Sequence, residues 1–157
     1  VVPLNEFADE FDSAFELSLN GSYVLSMNLT LKFSYSTVTL EGAPTKILYG
    51  DTHSVEQSLT LNSFSTALKY SVLKAPFILS FQGGISLVNW TYESTTKTDG
   101  TQKSDGGSDF AGNVGMCFDY PIYGNLFLEN TLELRQLTGG LGDRQLLTFG
   151  VGVYYPF

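Results

Sequence analysis

Polar and apolar residues take turns along this chain with a period of two. From Phe15 the odd positions read Phe15, Leu17, Leu19, Gly21, Tyr23, Leu25, Met27, Leu29, Leu31, Phe33 and Tyr35. The even positions between them are mostly polar: Glu16, Ser18, Asn20, Ser22, Ser26, Asn28, Thr30, Lys32 and Ser34. Successive side chains on a strand point to opposite faces, so this stretch is a two-faced sheet; a helix would scatter it around its axis. Further ladders follow. Val55, Leu59 and Leu61 come first; then, with parity switched, Leu68, Tyr70 and Val72; then Phe77 to Leu87, Phe110 to Tyr120, Leu126 to Leu134 and Leu147 to Phe157. The predicted class is all-β, an up-and-down antiparallel sheet closed into a barrel.

Turn chemistry divides the ladders. Asn20-Gly21-Ser22, Lys74-Ala75-Pro76 and Pro121-Ile122-Tyr123-Gly124 predict short connections, and the polar stretch from Glu93 to Asp109 predicts a long mobile loop. Eight strands result, at 13–19, 23–40, 54–62, 64–73, 77–92, 110–120, 125–136 and 144–157. About eight strands is the number whose interior side chains just fill a barrel. Taking 13–40 and 54–73 as single strands gives six instead. Residues 1–12 do not alternate: Leu4, Phe7 and Phe11 recur among acidic residues at helical spacing. They predict a tether or short interfacial helix ahead of a barrel spanning 13–157.

Alternation alone does not say which face is inside. A soluble, lipocalin-like barrel would gather Leu29, Leu31, Phe33 and Leu128 around a ligand pocket, whereas a membrane barrel turns its apolar residues to lipid. Composition favours the second arrangement. The chain is 43% hydrophobic and only 15% charged, and its polar face is built of Ser, Thr, Asn, Gln and Gly. A water-facing sheet usually carries more charge. The charges on that face have both signs: Glu16, Glu56, Asp119, Glu129 and Glu133 against Lys32, Lys69 and Arg135. They are expected to pair across a narrow lumen, because a dry interior tolerates charge only in pairs. A net charge of −8 gives no bulk attraction for nucleic acid.

The terminal ladder adds a resemblance. Phe149, Val151, Val153, Tyr155 and Phe157 alternate up to a final Phe. This resembles the C-terminal signal strand of bacterial outer-membrane proteins, with Pro156 as a departure. In length and organisation the chain resembles the small outer-membrane proteins X and A (the transmembrane part of the latter). The resemblance implies a transmembrane barrel in the outer membrane of a Gram-negative cell, surrounded by outer-membrane lipid. It also implies recognition by the barrel-assembly machinery and protein partners in a membrane complex. Val1-Val2-Pro3-Leu4 has no charged and apolar export regions, as expected once a signal peptide is removed.

Candidate chemistry is sparse. His53, the single histidine, adjoins Ser54, but neighbours on a strand face opposite ways, so the two would not meet. It reads as a polar loop residue, and a lipid-modifying enzyme using His53 is the one enzymatic alternative. Glu129 and Glu133 lie about 13 Å apart on a strand, beyond the roughly 5–9.5 Å of a glycosidase pair. The lone Cys117 has apolar neighbours and reads as a wall or core residue. Asp99, Asp105 and Asp109 lack a calcium-loop frame. Trp90, Tyr92, Tyr120, Tyr123, Tyr154 and Tyr155 fit aromatic belts at a membrane surface. No catalytic residue, metal or cofactor is expected. The function expected is structural, adhesive or that of a complex subunit, acting through surface loops. A small pore, a soluble ligand binder and the enzyme remain alternatives.

Overall fold

The computed structural model describes residues 1–157 apart from 5–7, 9, 43–44, 48–52, 74–76, 97–101, 125 and 155–157; side chains at 45–47, 53–55, 96 and 154 are likewise outside the description. The elements are β1 (Val2–Leu4), β2 (Glu16–Val24), β3 (Leu29–Glu41), β4 (Thr45–Ile47), β5 (His53–Leu73), β6 (Ile78–Thr96), β7 (Gln102–Tyr123), β8 (Leu126–Thr138) and β9 (Gln145–Tyr154). Eight of them form one antiparallel path, β1-β9-β8-β7-β6-β5-β3-β2, and β4 pairs with β5 beside it. The path bends back on itself. Its two ends meet where the Val1 amine donates to the Ala14 carbonyl at 2.6 Å and the Ala14 N–H donates to the Val1 carbonyl at 3.0 Å. Side chains of β3 and β8, which three strands separate along the sheet, also touch: Lys32 Nζ lies 2.5 Å from Glu129 Oε1.

The strand boundaries differ from expectation in physically informative ways. Residues 53–73 are one strand, with no turn at Asn62-Ser63; the parity switch there marks a change of surroundings along an unbroken β5. Asn20-Gly21-Ser22 is inside β2, and the chain turns later, where the Leu25 and Ser26 N–H groups donate to the Leu29 carbonyl. Hydrogen bonds to β3 hold these turn-forming residues extended. The expected count of eight holds for the path, but the division differs: 54–73 merges into one strand, 13–40 does not, and Val2–Leu4 supplies a strand of its own. Within residues 1–12, Val2–Leu4 pair with Leu147–Gln145 and Phe11 bridges Gly42, so these parts of the segment are tied to the sheet. Most of Glu93–Asp109 is hairpin: Tyr92 pairs with Asp105 and Thr95 with Gln102. Both faces of that hairpin are polar, so no alternation betrays it.

One end, here the lower, has connections of two to four residues, at 25–28, 74–77 and 124–125. The upper end carries the longer ones, and β5, β6 and β7 project past their neighbours there.

Along each long strand the two faces trade character. In the lower part Phe33, Phe64, Leu68, Tyr70, Phe81, Ile85, Phe110, Val114, Phe118 and Tyr120 are exposed on the outside, while Ser63, Lys69, Ser80, Gln82, Ser86, Asn113, Asp119 and Arg135 are buried within. Higher up the interior becomes apolar, with Val38, Leu40, Leu59, Leu61, Val88, Ala111, Leu137 and Leu146 packed together. The exterior becomes polar at the same level. Tyr35, Phe64, Leu87 and Phe110 align in register around the wall, and the next outward row is Thr37, Asn62, Asn89 and Ser108.

Candidate functional site

The lower lumen holds the charged residues that the sequence placed on the polar face. Lys69 on β5 is the hub of one cluster. Its Nζ donates to Asp119 Oδ1 at 3.0 Å and Oδ2 at 2.8 Å, and to Glu129 Oε2 at 2.6 Å. Lys32 holds the other oxygen of Glu129. Arg135 on β8 is the hub of the second cluster, reaching Glu16 Oε1 at 3.4 Å, Glu133 Oε1 at 3.2 Å and Ser63 Oγ at 3.3 Å. Gln82 Nε2 and Asn113 Nδ2 donate to Glu133 Oε2 at 2.7 and 3.3 Å. Cys117 joins the clusters as a buried lumen residue, its thiol donating to Gln82 Oε1 at 3.2 Å.

The physical cause of this arrangement is the period of two. Lys69, Asp119, Glu129, Glu133 and Arg135 share the inward parity of their strands, so the roll of the sheet aims them at one axis. Burying a charge costs several kcal/mol unless it is paired and its remaining valences are satisfied. Here the side chains from β2, β3, β5, β7 and β8 bond directly across the lumen, so the wall is cross-braced. Seven of the eight predicted network residues come together. Glu56 does not: it is exposed on the upper extension of β5, opposite Thr95 and about 43 Å along the strand from Lys69.

Gln82, Asn113 and Ser63 carry the site without having been singled out from the sequence, and Asp109 was weighed there only as a calcium ligand. Parity would have found the first three. Asp109, read as part of a mobile loop, is buried and clamps the β8–β9 turn, accepting the Gly140 N–H at 2.7 Å and the Leu141 N–H at 2.8 Å. The turn needs glycine beside it: Gly139 has φ 132°, and a Cβ there would lie 2.4 Å from Asp109 Oδ1.

The charged lumen borders a cavity of about 590 Å³ lined by Lys32, Glu129, Glu133, Asn113, Thr148 and Gly152 among others. Above lies the apolar cap. Trp90 and Tyr92, assigned to a surface belt by the sequence, pack inward against this cap instead. Their parity already placed them on the inner face, where the interior at that height is apolar. Tyr120 and Tyr123 are exposed on the outside near the lower end. Tyr154 has no described side chain, and Tyr155 and Phe157 lie outside the described residues; Phe149, Val151 and Val153 of the same ladder point outward and are exposed.

His53 opens β5 and pairs with Ile47 rather than sitting in a loop; its side chain and that of Ser54 are outside the described residues. Glu129 and Glu133 belong to different clusters, each held by cations or amides. The apolar ligand pocket of a lipocalin-like barrel is not formed, because Phe33 points outward and the lumen at that height is lined by Lys32, Ser34 and Ser36. Comparison of the chain with protein-family models, with curated proteins and with solved structures gives no match.

Proposed function

We propose that this chain is an integral outer-membrane β-barrel protein without catalytic activity, acting in a structural or adhesive role or as a subunit of a membrane complex. The observation that carries this reading is the inversion of the lower barrel: Lys69, Asp119 and Arg135 are buried in the lumen while Phe64, Phe81, Phe118 and Tyr120 are exposed on the opposite face of the same sheet. In water that face would be a large apolar liability. In lipid it is solvated, and the lumen keeps its charges paired away from hydrocarbon.

The dimensions support the same reading. The outward apolar runs are Phe64–Val72, Leu79–Leu87 and Phe110–Tyr120, close to the roughly 9–11 residues of a tilted spanning strand. At a tilt near 40° they cover about 20–25 Å. The aromatic row Tyr35–Phe64–Phe110, capped by Thr37, Asn62, Asn89 and Ser108, fits one membrane–water boundary. The polar hairpins of β5, β6 and β7 then stand clear of the bilayer and offer the surface through which partners would be met. Short lower turns and longer upper connections match the periplasmic and external sides of such barrels. The lipid around the band and the assembly machinery that reads the last strand are partners implied by this reading.

The test is detergent extraction followed by gel electrophoresis with and without boiling. The folded protein should partition into micelles and run at a different position from the boiled chain. A protein that is monomeric and folded in buffer without detergent would sink the proposal.

A further inference from the structure

The wall is not evenly closed. β2 and β9 run in the same direction and stand at the two sides of a seam. Among the described residues, Glu16–Val24 pair with β3 alone, and the part of β9 beyond Leu147 pairs with β8 alone. Every second residue on each edge therefore presents its backbone N–H and C=O to the gap. The lumen cavity reaches both edges, being lined by Ser18, Gly21 and Ser22 on one side and Thr148, Val151 and Gly152 on the other.

Three further observations describe the gap. At the top of the seam β1 sits between the two edges and is antiparallel to both, so there the gap is one strand wide. Outward side chains at the seam are bare: Leu17, Leu19 and Val151 are 76–78% exposed, against 48–67% for Phe64, Leu68, Phe81, Ile85 and Phe110 in the paired wall. Inside it, Glu16 Oε2 and Thr148 Oγ1 are buried with no hydrogen-bond partner.

We propose that the seam is a slot for one further extended polypeptide strand, lying on the line of β1 beyond Val1 and antiparallel to both β2 and β9. The inference rests on the membrane reading for its driving force, because unpaired backbone groups facing hydrocarbon are costly. Registers fix what fits. Continuing the β1–β9 and Val1–Ala14 pairings sets Glu16 across the slot from Gly150 and Ser18 across from Gly152. Inward positions of the occupant meet Glu16, Ser18 and glycines, which calls for small hydroxylic residues that answer the free Glu16 and Thr148 oxygens. Outward positions lie between Leu17 and Val151, and between Leu19 and Val153, which calls for apolar ones. This is strand addition to an exposed edge, here made on two edges at once.

The test appends to Val1 a nine-residue segment of alternating leucine and threonine, with leucine directly before Val1 so that threonines face the lumen. A control shifts the alternation by one residue. Amide hydrogen exchange is followed in detergent micelles across Glu16–Val24 and Thr148–Val153. The correctly phased strand should slow the seam amides at least tenfold, and the shifted one should not. In parallel, the unextended chain carrying Ser18→Cys and Gly152→Cys in a Cys117→Ser background is oxidised. Edges one strand apart are about 10 Å from each other, beyond the ~7 Å that a disulfide spans, so no cross-link should form. Efficient cross-linking, or unchanged exchange with the phased strand, would overturn the slot. Either failure is compatible with a micelle-inserted barrel, so it is distinct from failure of the membrane reading.

Discussion

Leu61 and Phe64 stand three residues apart on one uninterrupted strand and face opposite sides of the sheet: Leu61 points into the cap and is 1% exposed, and Phe64 points outward and is 54% exposed. The chain moves its apolar residues from the inner face to the outer face within that interval. The same exchange occurs between Val88 and Leu87 on β6 and between Val38 and Tyr35 on β3, and register brings these positions level. On the membrane reading proposed above, the exchange marks the height at which the medium outside the wall changes. Above it the protein is built like a water-soluble barrel with an oily core, and below it like a barrel in oil with a polar core.

Placing a charge on the outer face should therefore have a cost that depends on height. Leu68→Arg, within the band, should destabilise the folded protein in vesicles by about 2–4 kcal/mol. Asn62→Arg, one row above the boundary, should cost about 0–1 kcal/mol. Urea titration of vesicle-inserted protein measures both. Equal costs would mean the outer face meets a single medium.

Lys69→Met removes the ammonium that donates to both oxygens of the buried Asp119 and one of the two cations on Glu129. Breaking a buried pair from one side costs about 3–5 kcal/mol, read as a drop in the unfolding midpoint in micelles. Lys69→Met combined with Asp119→Asn should recover more than half of that loss, because no uncompensated charge remains. A double variant as unstable as the single one would show that the lysine acts by packing instead.

Leu61→Ala opens a hole in the upper cap, where neighbours from adjoining strands hold their positions. The expected loss is about 2–5 kcal/mol. If the outer face meets lipid as proposed, Phe64→Ala leaves no cavity, because acyl chains fill the space, and should cost clearly less. Thermal unfolding in micelles compares the two.

Asp109→Ala removes the acceptor for the Gly140 and Leu141 amides. Charge-assisted bonds of this kind contribute about 1.5–3 kcal/mol. Hydrogen exchange at Gly140 and Leu141 should accelerate more than tenfold while Lys69 and Asp119 stay paired. Unchanged exchange at those two amides would mean that the turn is held by its glycines alone.

The lower barrel was legible in advance because its contrast is local: Phe81 beside Gln82, Phe118 beside Asp119, Leu134 beside Arg135. Each pair announces two faces. Cross-lumen pairing of Lys69 with Asp119 and of Arg135 with Glu16 followed from charge on a shared face, although the particular partners did not. Glu56 has the opposite parity to Lys69 along the unbroken β5 and faces outward; it was misplaced because the switch of pattern near Asn62-Ser63 read as a turn between two strands. The hairpin within 93–109 was missed because beyond Tyr92 both its faces are polar, so Glu93, Asp105 and Gln102 carry no alternation to read. Asp109 was missed for a different reason: its partners are backbone amides of the β8–β9 turn, and these leave no mark in side-chain pattern.

The sequence by itself determined the all-β class, the two-faced strands and the set of charges that must share an interior. Those follow from the strand period and from the cost of burying unpaired charge, both of which act between near neighbours. Only the tertiary structure decided that the polar face is the inner one in the lower half and the apolar face is the inner one above it. It also joined residues 53–73 into one strand, brought Val1–Leu4 into the wall and left β2 and β9 apart. These depend on which way the sheet rolls and on pairings between residues distant along the chain, and alternation reads the same for either roll.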